Sequence, residues 1–190
     1  MNPPKNISKE KLIAVLPGSR PDEVKRILPI MLQAKEIFQK IHPDYKFIAK
    51  PAKYIPKELF RNIEIYEGNT YKLLQRSTIT LTSSGTTTLE AILCHSIPII
   101  VHKLSNLSYF AARFAVKMKF IGLPNLILGK YIFPELLQRR AQPDIVAKTI
   151  LSVLKKYKYY INYVNITKSQ LGKPGSISRI AQLICKFIEK

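Results

Sequence analysis

The chain has 190 residues, of which 46% are hydrophobic, a composition that predicts one globular domain and excludes a disordered chain. Its 31 Lys and Arg residues outnumber 12 Asp and Glu residues, so the formal net charge is +19 at pH 7. That charge predicts an anionic partner, for which nucleic acid, an anionic membrane face and a phosphorylated substrate are all candidates. No apolar run approaches the length of a membrane span, so no spanning helix is expected.

The first half of the chain alternates strand-like and helix-like segments. Residues 11–16 form an apolar run that ends at Pro17 and Gly18, as is typical of a buried strand. A helix is predicted from residue 22, and Pro29 is expected to kink or restart it. Further strands are predicted at 46–49, 63–66, 78–81 and 97–101, and helices at 69–76 and 87–94. This alternation predicts an α/β fold, a parallel sheet with helices on both faces.

The second half is predicted to be mostly helical. A helix is predicted from residue 105, a loop at 122–130, and helices at 135–140 and 144–154. Residues 155–170, rich in Lys, Tyr and Asn, are predicted to be a helix end followed by a surface loop. Ser176 or Ser178 is expected to cap a last helix with an apolar stripe. The predicted division is a tail at 1–10, an α/β domain at 11–158, a surface loop at 159–175, and a helix packed on the domain at 176–190.

Two loops follow predicted strands at the edge where open α/β sheets bind ligands. In the first, residues 17–20 (PGSR), Gly18 allows close approach of the backbone to a ligand. Ser19 can cap a helix or contact phosphate, and Arg20 has a planar fork suited to phosphate. An ordinary strand–helix turn with a solvated arginine would use the same residues, so spacing alone leaves both interpretations open.

The second loop, residues 83–86 (SSGT), lies between the strand at 78–81 and the helix at 87–94. Such a loop directs main-chain N–H groups and the positive end of a helix dipole at one point, which favours phosphate. Gly85 keeps the approach open, and the hydroxyls add donors. Glu90, one turn into the helix, could accept hydrogen bonds from ribose hydroxyls, or it could interact only with the helix N-terminus. Neither loop is a G-x-G-x-x-G fingerprint.

Other kinds of site find little support in the sequence. Residues 122–130 superficially resemble a P-loop, but Tyr131 stands where Ser or Thr is required. No H-E-x-x-H pattern or cysteine cluster is present, so neither a metal nor another cofactor is expected. Cys94 and Cys185 lie in apolar surroundings and are predicted to be buried and reduced in a cytoplasmic protein.

The three histidines are scattered along the sequence. His42 and His95 are predicted to be structural or surface residues rather than ligands. His102 differs, because it ends the predicted strand at 97–101 and should therefore lie at the same sheet edge as the two loops.

Four further segments can be compared with known families: LPGSRPDEVKRILP at 16–29, SGTTTLEA at 84–91, LPN at 123–125 and PELLQ at 134–138. Together, in their order and approximate spacing, they resemble lipid-A-disaccharide synthase, a family of glycosyltransferases with two Rossmann-like domains (the GT-B fold). The likeness extends from residue 12 to about residue 150, which corresponds to the family's C-terminal half. It implies that residues 11–158 are a Rossmann-like domain that binds a UDP-sugar.

The resemblance implies a reaction and a set of site residues. The family condenses UDP-2,3-diacylglucosamine with 2,3-diacylglucosamine 1-phosphate (lipid X) to give the lipid A disaccharide and UDP, inverting configuration without a metal. By position, Arg20 would act on phosphate charge during catalysis, and Glu90 would hold the ribose. The implied donor-binding residues are Gly18, Ser19, Ser84, Gly85, Thr86, Glu90, Asn125, Glu135 and Gln138.

Two departures from the family pattern matter. His102 and Lys103 stand where the family tends to have a Tyr-Arg pair, and lysine cannot make arginine's bidentate contact. The likeness also lacks the family's N-terminal half, so the chain alone is expected to be inactive. The sequence leaves three interpretations open: a fragment, one part of a split protein whose other half is a separate polypeptide, or a truncated gene product.

The implied substrates predict where the protein works. Both are acylated and phosphorylated, so we expect a cytoplasmic protein peripheral to the anionic inner face of the inner membrane of a Gram-negative-type bacterium. Residues 104–120, with aromatic side chains among cations, are the candidate contact, although an ordinary helix packed on the sheet fits them too.

Two alternative functions remain open. One is a non-catalytic anion-binding module, most plausibly for nucleic acid, that uses the net charge and the Lys/Tyr tract at 155–163. The other is a different UDP-sugar enzyme of the GT-B fold. Because LPN and PELLQ favour lipid-A-disaccharide synthase over both, no nucleic-acid partner is expected.

Overall fold

The computed structural model describes residues 9–83, 85–103, 120–172 and 175–188, and their core is a parallel six-stranded sheet. The strands are β1 (Glu10–Leu16), β2 (Lys46–Ala49), β3 (Glu64–Ile65), β4 (Ser77–Thr82), β5 (Ile97–His102) and β6 (Glu135–Leu137). They lie in the order β3-β2-β1-β4-β5-β6, so the chain builds one side of the sheet and then returns to build the other. This reversal leaves a crevice at the carboxyl ends of β1 and β4, where sheets of this type bind ligands.

Helices cover both faces of the sheet. They are α1 (Pro21–Gln39), α2 (Thr70–Arg76), α3 (Thr87–Leu93), α4 (Leu123–Leu128), α5 (Pro143–Lys155), α6 (Tyr157–Gln170) and α7 (Ser176–Ile188). Alternation along β1 explains the two layers: Ile13 and Val15 join the core formed with α1 and α5. Leu12, Ala14 and Leu16 point the other way and join a second core with α2 and α3. The predicted α/β fold is confirmed.

Helix α1 begins directly at the crevice. The main-chain oxygen of Arg20 accepts hydrogen bonds from the N–H groups of Glu23 and Val24, at 3.1 and 3.0 Å, and Pro21 occupies the first helical turn. Pro29 lies inside the helix on its exposed side, and the helix continues past it to Gln39 without restarting. A single long helix therefore has its N-terminus at the ligand-binding edge of the sheet.

The secondary structure predicted for residues 122–140 is wrong in two places. The predicted loop at 122–130 contains α4, with Pro124 in its first turn and Gly129 ending it at φ +62°. The predicted helix at 135–140 is instead strand β6 followed by a short 3-10 helix, Gln138–Arg140. Residues 135–137 form a strand rather than a helix because they pair with β5. This pairing places Leu136 at the sheet edge, where it is fully buried.

The predicted surface loop at 159–175 is also largely wrong, because α6 runs to Gln170. Tyr160, Val164 and Thr167 recur at helical spacing and are buried. The hydroxyl of Thr167 donates to the carbonyl oxygen of Tyr163 at 2.8 Å, so this polar residue fits the buried helical face. The high content of Lys, Tyr and Asn concealed this pattern.

The predicted last helix is present as α7, but it already includes Ser176 and Ser178, so neither serine lies at the expected capping position before it. Its apolar side chains are not covered, since Ile180, Ile184 and Phe187 are 56%, 54% and 81% exposed. The expected packing of this helix on the domain is thus not seen for these residues. Cys185 is also exposed, contrary to the prediction, whereas Cys94 is buried, and both are free thiols. The division at residues 10, 158 and 175 otherwise stays a prediction.

Candidate functional site

A cavity of about 470 Å³ lies at the carboxyl ends of β1, β4 and β5, within the size range of small-molecule sites. The turn after β1, the segment after β2 and the first turns of α1 and α3 surround it. Its lining residues are Leu16, Gly18, Ser19, Arg20, Glu23, Lys50, Pro51, Ala52, Thr70, Ser83, Gly85, Thr86, Thr87, Glu90 and His102. The two loops singled out in the sequence therefore meet at one cavity.

The turn after β1 is closely packed around Gly18. Its φ of +114° is in the region that favours glycine, and a Cβ there would lie 2.6 Å from Glu23 Oε2 and 2.9 Å from Ser83 Oγ. Ser19 and Arg20 follow as exposed residues that line the cavity. The turn thus presents main chain, a hydroxyl and a guanidinium to the cavity.

The loop after β4 is open around Gly85. This residue has φ +119°, and a Cβ built on it would meet no atom within 4 Å. The Thr88 hydroxyl donates to the Gly85 carbonyl oxygen at 2.7 Å, which fixes the start of α3. Thr86 and Glu90 line the cavity with Gly85, while Ser84 lies outside the described residues.

The cavity also contains residues that were not predicted as site residues. Lys50 follows β2, and its N–H donates to the Val15 carbonyl oxygen at 3.1 Å, so it extends the β1–β2 pairing to the cavity edge. Thr70 reaches the same cavity from the first residue of α2. The end of the predicted strand at 46–49 was the available signal for Lys50, whereas Thr70 depends on how α2 packs.

A Glu–His pair closes one side of the cavity. Glu23 Oε1 lies 3.1 Å from His102 Nδ1, and the two side chains are only 15% and 19% exposed. The distance suits a hydrogen bond, but among the described residues Nδ1 has no well-aligned partner. The contact is therefore electrostatic rather than a formed hydrogen bond. A small rotation of either side chain would align Nδ1 with the carboxylate oxygen.

The charges of the described cavity lining are balanced. Arg20 and Lys50 are its cations, and Glu23 and Glu90 are its carboxylates. Despite the formal charge of +19, this lining has no net charge while His102 is neutral.

Asn125, which the resemblance placed in the donor pocket, is fully buried in a hydrogen-bond network. Its Oδ1 accepts from the N–H groups of Ile132 and Phe133, at 2.9 and 2.8 Å. Its Nδ2 donates to the Phe133 carbonyl oxygen and to Glu135 Oε1, both at 2.8 Å. All four hydrogen-bonding positions of this amide are thus used within the protein.

Glu135 completes the same network. Its Oε1 accepts from Gly122 N–H at 3.0 Å and its Oε2 from Ile121 N–H at 2.9 Å, so the carboxylate joins β6 to the segment before α4. Gln138 follows β6 with φ +48°. None of Asn125, Glu135 and Gln138 is among the residues that line the cavity.

Two further features of the described ranges bear on the site. No three His, Cys, Asp or Glu residues there are grouped so that they could hold a metal ion. None of the helices within those ranges is both long and apolar enough to cross a bilayer. The candidate membrane contact at 104–120 lies outside the described residues except for Phe120.

Comparison with known proteins identifies the family. The profile described as lipid-A-disaccharide synthetase matches residues 4–187. This chain belongs to that family. It is 35% identical over 211 residues to the lipid-A-disaccharide synthase of Sulfurihydrogenibium sp. (strain YO3AOP1), an alignment that covers 100% of this chain and 54% of the relative.

A second relative gives the same result. The lipid-A-disaccharide synthase of Anaeromyxobacter dehalogenans (strain 2CP-C) is 36% identical over 182 residues, covering 90% of this chain and 48% of the relative. The chain therefore spans about half the length of the curated family members it matches.

Solved structures of other proteins share the fold. The calicheamicin glycosyltransferase CalG4 aligns with a TM-score of 0.65 at 15% identity, covering 100% of this chain and 44% of that one. The UDP-GlcNAc 2-epimerase of Neisseria meningitidis, bound to UDP-GlcNAc, aligns with a TM-score of 0.55 at 15% identity, covering 95% of this chain and 45% of that one. The Rossmann-like α/β fold predicted for this family member is thus confirmed.

Proposed function

We propose that this chain is the donor-binding half of a glycosyltransferase that joins UDP-2,3-diacylglucosamine to 2,3-diacylglucosamine 1-phosphate and releases UDP. Membership of the lipid-A-disaccharide synthetase family supports the reaction. The observation that carries the donor role is the cavity at the β1–β4 crevice, where the Gly18 turn and the Gly85 loop face each other.

Residues of both loops bind the diphosphate of the donor. Arg20 stabilises the negative charge that develops on the diphosphate as UDP leaves. Gly18 and Gly85 let main-chain N–H groups approach the phosphates, and the hydroxyls of Ser19 and Thr86 add donors. Ser84, which precedes Gly85 in the sequence, is also proposed to contact the diphosphate.

Glu90 has a separate role as the acceptor for ribose hydroxyls. Asn125 and Glu135 act indirectly in this proposal, because their polar atoms hold the segment between β5 and β6 in place. Gln138, which follows β6, remains a predicted donor contact.

The activity of the 190-residue chain by itself is a separate part of the proposal. Because the chain spans about half the length of its curated relatives, a separate polypeptide is proposed to supply the acceptor site. The isolated chain then binds UDP weakly and forms no disaccharide. Robust disaccharide synthesis from both substrates by the purified chain would contradict this proposal.

The excess positive charge is proposed to hold the protein at the anionic inner face of the inner membrane, where acylated substrates reside. Each Lys or Arg close to such a surface contributes on the order of 1 kcal/mol. Flotation with anionic and neutral vesicles tests this, since equal binding to both would rule out the electrostatic attachment.

Donor binding is tested by calorimetric titration of UDP into the 190-residue chain and its variants. Arg20→Ala should weaken binding by about 10- to 100-fold, since it removes a charge-assisted contact. Glu90→Ala should weaken it by about 3- to 10-fold, since it removes hydrogen bonds to ribose. Arg61→Ala and Glu58→Ala, at exposed positions outside the cavity lining, are the matched controls and should bind like the parent.

Two results would overturn the donor role. One is failure of the parent chain to bind UDP, and the other is equal binding by the Arg20 and Glu90 variants. The nucleic-acid alternative, which the charge of +19 favours, predicts oligonucleotide binding that falls steeply with salt and does not respond to UDP.

A further inference from the structure

The Glu23–His102 pair lines the cavity at the end of β5 and the start of α1. His102 is the last residue of β5, at the ligand-binding edge of the sheet, and it lines the cavity. About a fifth of its side chain is exposed, while its Nδ1 is fully buried beside Glu23. The exposed part of the ring is therefore the part away from Nδ1, which leaves Nε2 as the nitrogen available to a ligand.

Glu23 lies between two chain segments and is close to both. Its Oε1 lies 3.1 Å from His102 Nδ1. Its Oε2 lies so close above Gly18 that a Cβ there would be only 2.6 Å away. Only 15% of its side chain is exposed. A carboxylate in this position stabilises an imidazolium, and it can accept the Nδ1–H after a small rotation of either side chain.

The other charged groups around the pair are few. Arg20 before α1, Lys50 after β2 and Glu90 on α3 line the same cavity. Arg26, one turn after Glu23, is engaged elsewhere, since its Nε donates to the Lys103 carbonyl oxygen at 3.2 Å. Within the described lining, cations and carboxylates are equal in number, so protonation of the imidazole alone gives it a positive charge.

We propose that His102, oriented by Glu23, takes up one proton from solvent when the cavity binds the diphosphate of a nucleotide sugar, and donates a hydrogen bond to it from Nε2. Glu23 is a positioning residue in this scheme, and His102 is the ligand contact. The inference rests on the proposed donor-binding function and adds to it a requirement for a proton. The diphosphate brings negative charge into a lining that is otherwise balanced, and the new N–H bond compensates part of it.

A purely structural role for the pair leads to a different expectation. In that case Glu23 and His102 would only join α1 to the end of β5, and their substitution would lower stability. The affinity for a nucleotide sugar would then not depend on pH through His102. Proton uptake and the pH profile of binding therefore separate the two roles.

The test is calorimetric titration of UDP-GlcNAc into the 190-residue chain at about pH 6 and about pH 8. This probe is used because each of its phosphates has one ester and one anhydride bond and therefore a single, strongly acidic oxygen, so that, unlike the terminal phosphate of UDP, it does not change charge near neutral pH. Affinity should be about 5- to 10-fold higher at the lower pH, as expected if binding raises the pKa of the linked group by about one unit, and within the limit of about 100-fold that one proton sets over two pH units. Buffers of different ionisation enthalpy should report uptake of up to about one proton.

Variants assign the proton to its residue. His102→Gln should bind UDP-GlcNAc about equally at the two pH values and should take up no proton. Its affinity should not exceed that of the parent chain at the higher pH. Glu23→Gln should weaken the pH dependence, because the imidazolium loses its carboxylate partner. His42→Gln is the matched control and should behave like the parent, since His42 stacks on Phe38 beyond the far end of α1, about 28 Å from its start.

The outcomes distinguish this inference from the function on which it rests. If the parent chain binds UDP-GlcNAc equally well at both pH values without proton uptake, the inference is overturned and the donor role stands. Retention of the parent pH profile by His102→Gln has the same consequence. Absence of binding at both pH values overturns the donor role itself. Because proton uptake is measured on the parent chain, the test does not depend on the variants folding.

Discussion

The packing around the cavity can be tested with a matched pair of glycine substitutions, Gly18→Ala and Gly85→Ala. Both glycines have positive φ angles, +114° and +119°, so an alanine at either position should cost about 1–2 kcal/mol of backbone strain. The two sites differ in their surroundings. At Gly85 a Cβ meets open space, whereas at Gly18 it would lie 2.6 Å from Glu23 Oε2 and 2.9 Å from Ser83 Oγ.

The magnitudes follow from this difference. Gly85→Ala should lower the free energy of unfolding by about 1–2 kcal/mol. Gly18→Ala adds the cost of overpacking, about 1–3 kcal/mol, because both neighbours must shift by several tenths of an ångström. The effect of alanine on the unfolded chain, about 0.4–1 kcal/mol, is similar for both variants and cancels in their difference.

Urea denaturation of the two variants measures the difference through the midpoint, provided the slope is unchanged. A double-mutant cycle with Glu23→Ala then isolates the collision, since removal of the carboxylate should recover part of the extra loss in Gly18→Ala. The recovery is partial because Ser83 remains. Equal destabilisation by the two alanines, or additive effects of Gly18→Ala and Glu23→Ala, would refute the packing argument.

Two further predictions concern residues outside the cavity. Asn125→Ala should lower the free energy of unfolding, measured by urea denaturation, by about 2–4 kcal/mol. The reason is that Ile132 N–H, Phe133 N–H and Glu135 would lose their hydrogen-bond partner in a buried site. A loss below about 0.5 kcal/mol would contradict this. Burial lowers the pKa of Lys9 from 10.5 to about 8, so the unfolded chain binds this proton more tightly and stability should rise between about pH 8 and about pH 10. Urea midpoints should show less of this rise in Lys9→Met, and an identical rise in both proteins would exclude Lys9 as its source.

The part of the fold next to the cavity was predictable from local sequence. The strands β1, β4 and β5 contain apolar or β-branched runs at 12–16, 78–82 and 97–101, and the turns after β1 and β4 contain glycine and polar residues. Since parallel strands end at the same sheet edge, Gly18, Arg20 and Glu90 could be placed in one site before the structure was known.

The segment from Gly122 to Arg140 was not predictable in the same way. Its conformation depends on contacts between residues distant in the chain, including Asn125 Nδ2 to Glu135 Oε1 and the pairing of β6 with β5. From the sequence alone Glu135 resembles an ordinary residue of a polar helix. Nothing local shows that three N–H donors, from Ile121, Gly122 and Asn125, converge on its carboxylate. Thr70 escaped prediction for a related reason, since the packing of α2 brings it to the cavity.

The distribution of charge separates two kinds of anion binding in this protein. All of the formal charge of +19 lies outside the described cavity lining, because the cations and carboxylates of that lining balance. Attraction to an anionic surface is therefore long-ranged and screened by salt, and no single residue determines it. The proposed binding of a nucleotide in the balanced cavity would depend instead on individual contacts, such as those of Arg20, Glu90 and the imidazole of His102. Because few contacts determine affinity in the cavity, one added proton can change that affinity strongly. The same proton changes the attraction of the whole surface to an anionic membrane only negligibly.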